Sequence, residues 1–215
     1  MVSNQGLKFF GEINASISHE IKNVLSIINE NAGLLEDFTL LADKGHPLDP
    51  ERLKTLAKMI QKQVKRADGI IKNMNIFAHS VDESDKIVDL GEILRFVSVL
   101  TARLTANRGL RLEILSPQQP VTLTADPFFL INLIWLCIDF SANWAGDGKT
   151  IAASPEQTSE GVAIKLSGLE GLSAAAPGKI APDKKLQALL DDLNVRLTIP
   201  DGAKSLVFMF TKGGQ

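Results

Sequence analysis

The 215-residue sequence has little that would cross-link it or attract it to a membrane or a nucleic acid. Its one cysteine, Cys137, excludes an internal disulfide and a cysteine-rich zinc module. The 23 Lys and Arg nearly balance the 25 Asp and Glu, so no strong field invites nucleic acid or a membrane surface. The longest apolar run, residues 127–138, falls short of the roughly twenty residues of a membrane span. The N-terminus lacks the pattern of a signal peptide. We therefore expect a soluble cytoplasmic protein in which Cys137 is a buried, inert thiol.

Two stretches of the first eighty residues repeat apolar side chains at spacings of three, four or seven, which are typical of helices packed at shallow angles. A glycine and two prolines separate them, and Asp49 followed by Pro50 is typical of a helix start. The sequence thus predicts an antiparallel helical hairpin over residues 1–80. The repeated residues are Phe10, Ile13, Ile17, Ile21, Val24, Ile28, Leu35 and Phe38, then Leu53, Leu56, Ile60, Val64, Ala67, Ile71, Met74 and Phe77 or Ala78.

A hairpin of two helices cannot enclose a core, because each helix buries its apolar side against one neighbour only. The simplest closure is a second copy, which gives a four-helix bundle around a two-fold axis. The alternative is that the hairpin packs on the C-terminal part of its own chain. We expect the homodimer.

A short polar linker, residues 81–88, is predicted to lead into a C-terminal domain, residues 89–215. Asp89 and Asp126 are typical helix caps, for helices at 89–106 and 127–144. This part of the chain alternates helices with strand pairs, which predicts one mixed sheet covered on one face by helices and an α+β class overall. The other predicted elements are strands at 110–115, 121–125, 150–153, 161–166, 195–199 and 205–211, a loop at 168–182 and a helix at 182–193.

His19 is the residue of the first helix whose chemistry stands out. It lies two residues from both Ile17 and Ile21, and two residues turn a helix by about 200°, so His19 faces away from the apolar stripe. Asn23 follows one turn later on the same face. An exposed histidine beside an acid and an amide suits a nucleophile. The same spacing also fits a solvated histidine without a role.

Residues 9–23, which read Phe-Phe-Gly-Glu-Ile-Asn-Ala-Ser-Ile-Ser-His-Glu-Ile-Lys-Asn, resemble the phosphoacceptor box of bacterial sensor histidine kinases. In that family a His-Glu-x-x-Asn/Thr pattern, usually followed by Pro, lies on the first helix of a dimeric hairpin. Val24 replaces that Pro here, so we expect a straighter helix past the site. The resemblance covers most of the chain. It implies a dimeric four-helix bundle followed by a histidine-kinase-ATPase-like α/β sandwich.

The resemblance assigns roles to three residues. His19 would accept the phosphoryl group, Glu20 would accept the ring proton, and Asn23 would position the phosphoryl group or a water molecule. Adjacent helix positions do not face each other, so the spacing alone does not establish a contact between His19 and Glu20.

The C-terminal domain departs from that family where the family holds ATP. Leu136 and Phe140 align with two asparagines, one of which binds Mg²⁺ in the family. The adenine loop Asp-x-Gly-x-Gly reads Ser-Gly-Leu-Glu-Gly over residues 167–171, and residues 174–179 contain no Gly-x-Gly run. ATP binding relies on Mg²⁺ held by oxygen ligands and on backbone N–H groups reached through glycines. We therefore expect a degenerate domain with no cofactor and no metal.

A dimer with an acceptor histidine and no phosphoryl donor of its own resembles the histidine phosphotransferases of bacterial phosphorelays. Such a protein shuttles a phosphoryl group between the aspartates of response-regulator receiver domains without ATP, and the receiver supplies the Mg²⁺. An upstream hybrid histidine kinase is a further expected partner. Two alternatives stay open: an ATP-dependent sensor histidine kinase with a divergent nucleotide site, and a non-catalytic regulator that binds a kinase.

The second helix offers a basic surface to an acidic receiver, with seven basic residues against two acidic ones over residues 51–72. The same charges also suit a solvated helix face. A turn centred near residue 46 would place residue 73 opposite residue 19. His46 and His79 are expected to be structural or solvated. The residues expected to contact a partner are Ser16, Lys22, Ser26, Arg66, Lys72 and Asn73.

Overall fold

The computed structural model describes residues 4–82, 84–174, 180–200 and 204–211. The chain divides into two compact units. One, the hairpin unit, is Glu12–Ile76, and the other, the C-terminal unit, combines Met1–Gly11 with Phe77–Gln215. Both hairpin helices continue from one unit into the other, so the sequence-based boundary at residue 80 does not coincide with this division.

The described residues form six α-helices and seven β-strands, and most of them lie where the sequence predicts an element. Two 3₁₀ turns, Ala142–Trp144 and Glu170–Ala174, complete the regular structure of these residues. The elements are α1 Asn4–Asp43, α2 Pro50–His79, β1 Lys86–Asp89, α3 Leu90–Leu100, α4 Ala102–Asn107, β2 Arg111–Ile114, β3 Thr122–Ala125, α5 Pro127–Ser141, β4 Thr150–Gln157, β5 Gly161–Ser167, α6 Lys184–Asp192, β6 Val195–Thr198 and β7 Ser205–Thr211.

The turn between α1 and α2 follows the predicted chemistry. Gly45 has φ +87°, a conformation that glycine adopts without a steric penalty. Asp49 caps α2, since its Oδ1 accepts a hydrogen bond of 2.9 Å from the backbone N–H of Glu51. Pro50 occupies the first helical position, where its missing N–H costs nothing.

The apolar stripes of the two helices are buried unequally. Ile13, Ile17 and Val24 on α1 are all at most 5% exposed. Val64 and Ile71 on α2 are each 45% exposed. These three side chains of α1 are therefore covered within the described chain, whereas Val64 and Ile71 leave apolar surface of α2 in contact with solvent.

An aromatic cluster within the C-terminal unit contains rings from the start of α1, the end of α2 and the start of α5. Phe77 stacks on Phe10 with ring centroids 5.4 Å apart and meets Phe9 edge-on at 5.6 Å. Phe128, at the start of α5, lies 5.9 Å from Phe77. Phe9, Phe77 and Phe128 are each less than 5% exposed, so these rings form a buried core rather than a surface patch.

The predicted single mixed sheet is wrong, because the strands of the described residues form two sheets. The larger has the strand order β2-β4-β5-β7-β6, with β2 and β4 parallel and the other neighbours antiparallel. The smaller pairs β1 with β3 in antiparallel fashion. The linker predicted at residues 81–88 consequently ends in a strand. Val88 is buried there while Ile87 is 73% exposed, so β1 packs one side only.

The helix predicted from residue 89 to residue 106 is two helices. Asp89 caps the first as expected, by accepting from the backbone N–H of Glu92. The break falls at Thr101, which leaves the helical conformation with φ −102° and ψ 9°. Its buried hydroxyl donates to the Val97 carbonyl at 2.7 Å, and threonine hydroxyls bonded in this way bend helices.

Helix α5 is the central helix of the C-terminal unit. Asp126 caps it by accepting from the N–H groups of Phe128 and Phe129. Cys137 is buried as predicted, and burial raises the pKa of its thiol, which keeps it protonated and unreactive. Among the described residues, one stretch, Pro127–Trp144, is long and apolar enough by composition to span a membrane, but 61% of it is buried within the protein.

The segment after β5 differs in detail from the predicted loop at residues 168–182. Gly168 has φ +85°, and a Cβ there would come within 2.4 Å of the Thr150 carbonyl oxygen, so the position demands glycine. A 3₁₀ turn, Glu170–Ala174, follows, and residues 175–179 lie outside the described residues. The next helix, α6, begins later than predicted because Asp183 caps it.

One ion pair connects α5 with the residue that ends α4. Arg108 Nη2 lies 2.8 Å from Asp139 Oδ1, and Arg108 Nη1 donates to the Asp139 carbonyl at 3.3 Å. Burial raises the pKa of the Asp139 carboxyl, and Arg108 opposes that shift without cancelling it.

Phe77→Ala should destabilise the C-terminal unit by about 3–5 kcal/mol, because it removes a fully buried ring and leaves a cavity among its aromatic neighbours. Urea unfolding followed by circular dichroism measures the change. Ile87→Ala is the control, since its exposed side chain should cost under about 0.5 kcal/mol. Equal losses in the two variants would contradict the buried cluster.

Asp139→Asn should lose stability relative to wild type as the pH falls. The pKa of Asp139 is higher in the folded protein, so the folded state binds the proton more tightly and gains stability when the pH drops through that raised value. The asparagine variant lacks this gain. As the pH falls, the free energy of unfolding of the wild type minus that of the variant should therefore increase until about pH 4, which is the pKa of an aspartate in the unfolded chain. Urea titrations at stepped pH measure the difference, and a fall over this range would contradict the assignment.

Candidate functional site

The candidate site lies on the hairpin unit and is built from α1. His19 and Asn23 are both exposed, one helical turn apart, as the spacing predicts. Glu20 is partly buried, with 22% of its side chain exposed. It lies between the buried stripe and the exposed face, so its carboxylate can reach the neighbouring helix.

The acid beside His19 faces an arginine rather than the histidine. Glu20 Oε2 lies 3.8 Å from Arg66 Nη2 on α2, an ionic contact longer than a hydrogen bond. Within the described part of the chain His19 has neither a hydrogen-bond nor an ion-pair partner. The ring is therefore available to a reactant from outside the hairpin.

The contact between Glu20 and Arg66 also bears on the predicted register. A turn centred near residue 46 would place residue 72 opposite Glu20, and Arg66 lies six residues earlier along α2. At 1.5 Å per residue this is a displacement of about 9 Å, part of which the long side chains of Glu20 and Arg66 can span. Of the three residues expected around His19 from α2, Arg66 contacts the site, and the roles of Lys72 and Asn73 stay predictions.

The predicted partner-binding residues on α1 divide into two groups. Lys22 and Ser26 are exposed and accessible to a partner. Ser16 is only 4% exposed in the single chain, which does not favour the predicted partner contact. It lies towards the buried side of α1, and its hydroxyl has no hydrogen-bond partner among the residues that the structure describes.

The other two histidines are solvent-exposed, as predicted. His79 has a partner that the sequence analysis missed, since its Nδ1 lies 2.7 Å from Asp82 Oδ2. The i to i+3 spacing of these two residues at a helix end was the available signal. The described residues contain no group of three or more His, Cys, Asp or Glu side chains that could hold a metal ion.

The residues that the sequence analysis aligns with the ATP-binding positions of that family are at least partly buried or hydrogen-bonded to the backbone in this structure. Leu136 and Phe140 lie partly buried on α5, and Leu169 is fully buried. The Ser167 hydroxyl donates to the Ala152 carbonyl of the adjacent strand at 3.4 Å. The positions of the family's phosphate loop, residues 175–179, lie outside the described residues.

The basic surface predicted on α2 is present. Its basic side chains are exposed to solvent. Lys54 forms an ion pair with Glu51 of the same helix, at 2.8 Å, so this pairing is local. Such local pairs leave a net positive face on this helix. The exposed basic side chains are Arg52, Lys54, Lys58, Lys62, Lys65, Arg66 and Lys72.

Comparison with known proteins identifies the hairpin. Residues 11–81 match the family described as the His Kinase A (phospho-acceptor) domain. No match was found among curated proteins.

Several solved structures are similar to this chain. Histidine kinase AdeS of Acinetobacter baumannii is 13% identical over 91% of this chain and 98% of that one, with a TM-score of 0.42. A structure described as a bacterial phosphotransferase is 17% identical over 97% of each chain, with a TM-score of 0.46. Histidine kinase ThkA, in complex with response regulator protein TrrA, is 20% identical over 96% of this chain and 63% of that one, with a TM-score of 0.45.

The family match coincides with the helices that carry the site. It begins at residue 11 and ends at residue 81, so it includes all of the described contact between Glu20 and Arg66. A phospho-acceptor domain supports a role in two-component signalling. Residues 11–81 are thus similar to His Kinase A phospho-acceptor domains, and over this third of its length the chain is histidine-kinase-like.

Proposed function

We propose that this protein is a histidine phosphotransferase of a bacterial phosphorelay, which moves a phosphoryl group between the aspartates of receiver domains through His19. The observation that carries the proposal is an exposed His19, without a partner among the described residues, in a segment that matches the phospho-acceptor family. The proposal places the protein in the cytoplasm, with receiver domains and an upstream hybrid histidine kinase as partners.

The transfer needs one nucleophile and one proton acceptor from this chain. An unprotonated ring nitrogen of His19 attacks the phosphorus of the aspartyl phosphate, the P–O bond to the aspartyl carboxylate breaks, and the carboxylate leaves with the electron pair. The proton on the other ring nitrogen passes to Glu20. The return reaction onto a second aspartate reverses these steps. Asn23 shares the exposed face of His19 and is assigned to positioning the phosphoryl group or a hydrolytic water.

The C-terminal domain supports a donor other than ATP. The hydrocarbon side chains of Leu136 and Phe140 offer no oxygen to a Mg²⁺ ion, which prefers oxygen ligands. Leu169 fills the core at a position where the family's adenine loop has glycine. These residues do not fit a magnesium nucleotide, so the phosphoryl group has to come from a partner, and the partner receiver brings the Mg²⁺.

The exposed stripe of α2 supports a homodimer. Val64 and Ile71 lie seven residues apart on one face of the helix, and each is about half exposed in the single chain. Met74 continues this face. A second hairpin laid on these side chains would remove them from water, as in a four-helix bundle.

Ile71→Asp should convert a dimer into a monomer, because a four-helix bundle would bury the new carboxylate without a partner charge. Light scattering at micromolar concentration measures the mass. Lys58→Asp is the control, because it introduces the same carboxylate at an exposed polar position of α2, and this variant should remain a dimer. A wild-type protein that stays monomeric at this concentration would contradict the proposed assembly.

Wild-type protein incubated with a receiver domain carrying labelled aspartyl phosphate should acquire an acid-labile, base-stable label. His19→Ala should acquire none, and because His19 is exposed this variant should keep the wild-type thermal transition. Glu20→Gln should slow labelling by about 10²–10⁴-fold if the carboxylate is the proton acceptor. His46→Ala and His79→Ala are the controls and should label like wild type.

Receiver domains from the same genome supply the donors for this assay, and labelled ATP with Mg²⁺ replaces them in a parallel reaction. Labelling of His19 from ATP alone would identify an ATP-dependent kinase and overturn the proposal. Label that persists in His19→Ala, or that disappears in His79→Ala, would place the acceptor elsewhere.

A further inference from the structure

The contact between Arg66 and Glu20 joins the second helix to the residue beside His19. Arg52, Lys54 and His79 form ion pairs with acids close to them in sequence. Arg66 instead reaches an acid on the other helix of the hairpin, at 3.8 Å. The pair therefore ties the position of Glu20 to α2.

Stability alone gives little reason for this pair. Half of the Arg66 side chain is exposed, and ion pairs in contact with solvent contribute little to folding. Glu20 is better shielded than its partner, so its carboxylate keeps a charge beside His19 that water screens incompletely. The pair therefore has more scope to affect the chemistry of His19 than the stability of the fold.

A phosphoryl group brings about two negative charges to the ring. The Glu20 carboxylate, one residue from His19, repels the negative charge of the phosphoryl group. The same carboxylate has to stay close to the ring in order to accept its proton. A guanidinium on the opposite helix resolves the conflict, because it compensates the carboxylate's charge and restricts its movement.

We propose that Arg66 is a positioning residue, which acts on phosphorylation of His19 through Glu20 and does not itself contact the phosphoryl group. This inference rests on the proposed function for its biological meaning. It predicts that removing Arg66 matters only while Glu20 carries its charge. A direct contact of Arg66 with the phosphoryl group or with a receiver predicts a loss that is independent of Glu20.

The test uses a small donor, so that receiver docking does not enter. Phosphoramidate phosphorylates accessible histidines: a ring nitrogen bonds to phosphorus, the P–N bond of the donor breaks, and the nitrogen leaves as ammonia with a proton. Peptide mapping of the full chain under alkaline conditions gives the initial rates at His19 and His46. The exposed His46 of the same molecule is the internal reference.

Arg66→Ala should lower the ratio of the rate at His19 to that at His46 by about threefold to tenfold, as expected for a partly screened unit charge. Arg66→Lys, which keeps the charge, should recover most of the ratio. Arg52→Ala is the matched control, because it removes an arginine of α2 that is paired with Asp49 at the same 3.8 Å. It should leave the ratio unchanged.

A double-mutant cycle decides between the two roles. In the Glu20→Gln background, adding Arg66→Ala should change the ratio by less than about twofold, since the charge that Arg66 compensates is gone. Equal losses with and without Glu20 would overturn the proposal in favour of a direct contact. An Arg66→Ala ratio equal to that of Arg52→Ala would overturn it altogether.

The outcome is separable from that of the proposed function. If receiver domains fail to label His19 in the wild type, the phosphorelay assignment fails, yet the phosphoramidate rates still measure the coupling between Arg66 and Glu20. If receivers label His19 but the cycle shows no coupling, only the role of Arg66 is refuted. In receiver assays, a positioning role should lower kcat and leave KM for the receiver within about twofold, because Arg66 then makes no docking contact.

Discussion

The burial of Ile13, Ile17 and Val24 determines the direction of the functional side chains on α1. Once these three residues face inward, helix geometry leaves His19 and Asn23 facing solvent. Glu20 falls at the edge of the buried stripe, which explains both its partial exposure and its reach to α2. The packing of an apolar stripe thus separates an accessible histidine from a sheltered acid, although the two are neighbours in sequence.

Much of this arrangement could be predicted from the sequence, because it depends on local periodicity. The outward direction of His19, the caps at Asp49, Asp89 and Asp126, and the burial of Cys137 all follow from spacing or from a short motif. Each of them involves residues within one helix or one turn, where a single chain segment decides the outcome.

The features that the sequence analysis missed depend on contacts between distant segments. The sequence analysis named Arg66 as a partner contact but did not identify Glu20 as the acid that it faces, because the two residues lie 46 positions apart on different helices. The pairing of β1 with β3 forms a small sheet apart from the large one, and the four residues of β1 have no sequence pattern that identifies β3 as the neighbouring strand. Thr101 broke a predicted helix because its buried hydroxyl bonds the backbone of the preceding turn.

Gly168 shows how a glycine beside a binding motif can be required by the fold alone. Its φ of +85° and the Thr150 carbonyl oxygen, 2.4 Å from where a Cβ would lie, exclude a side chain at this position. The requirement comes from the close approach of the chain after β5 to the start of β4, and it does not depend on a ligand. A glycine in such a loop is therefore evidence for a backbone conformation, and evidence for a ligand has to come from the side chains around it.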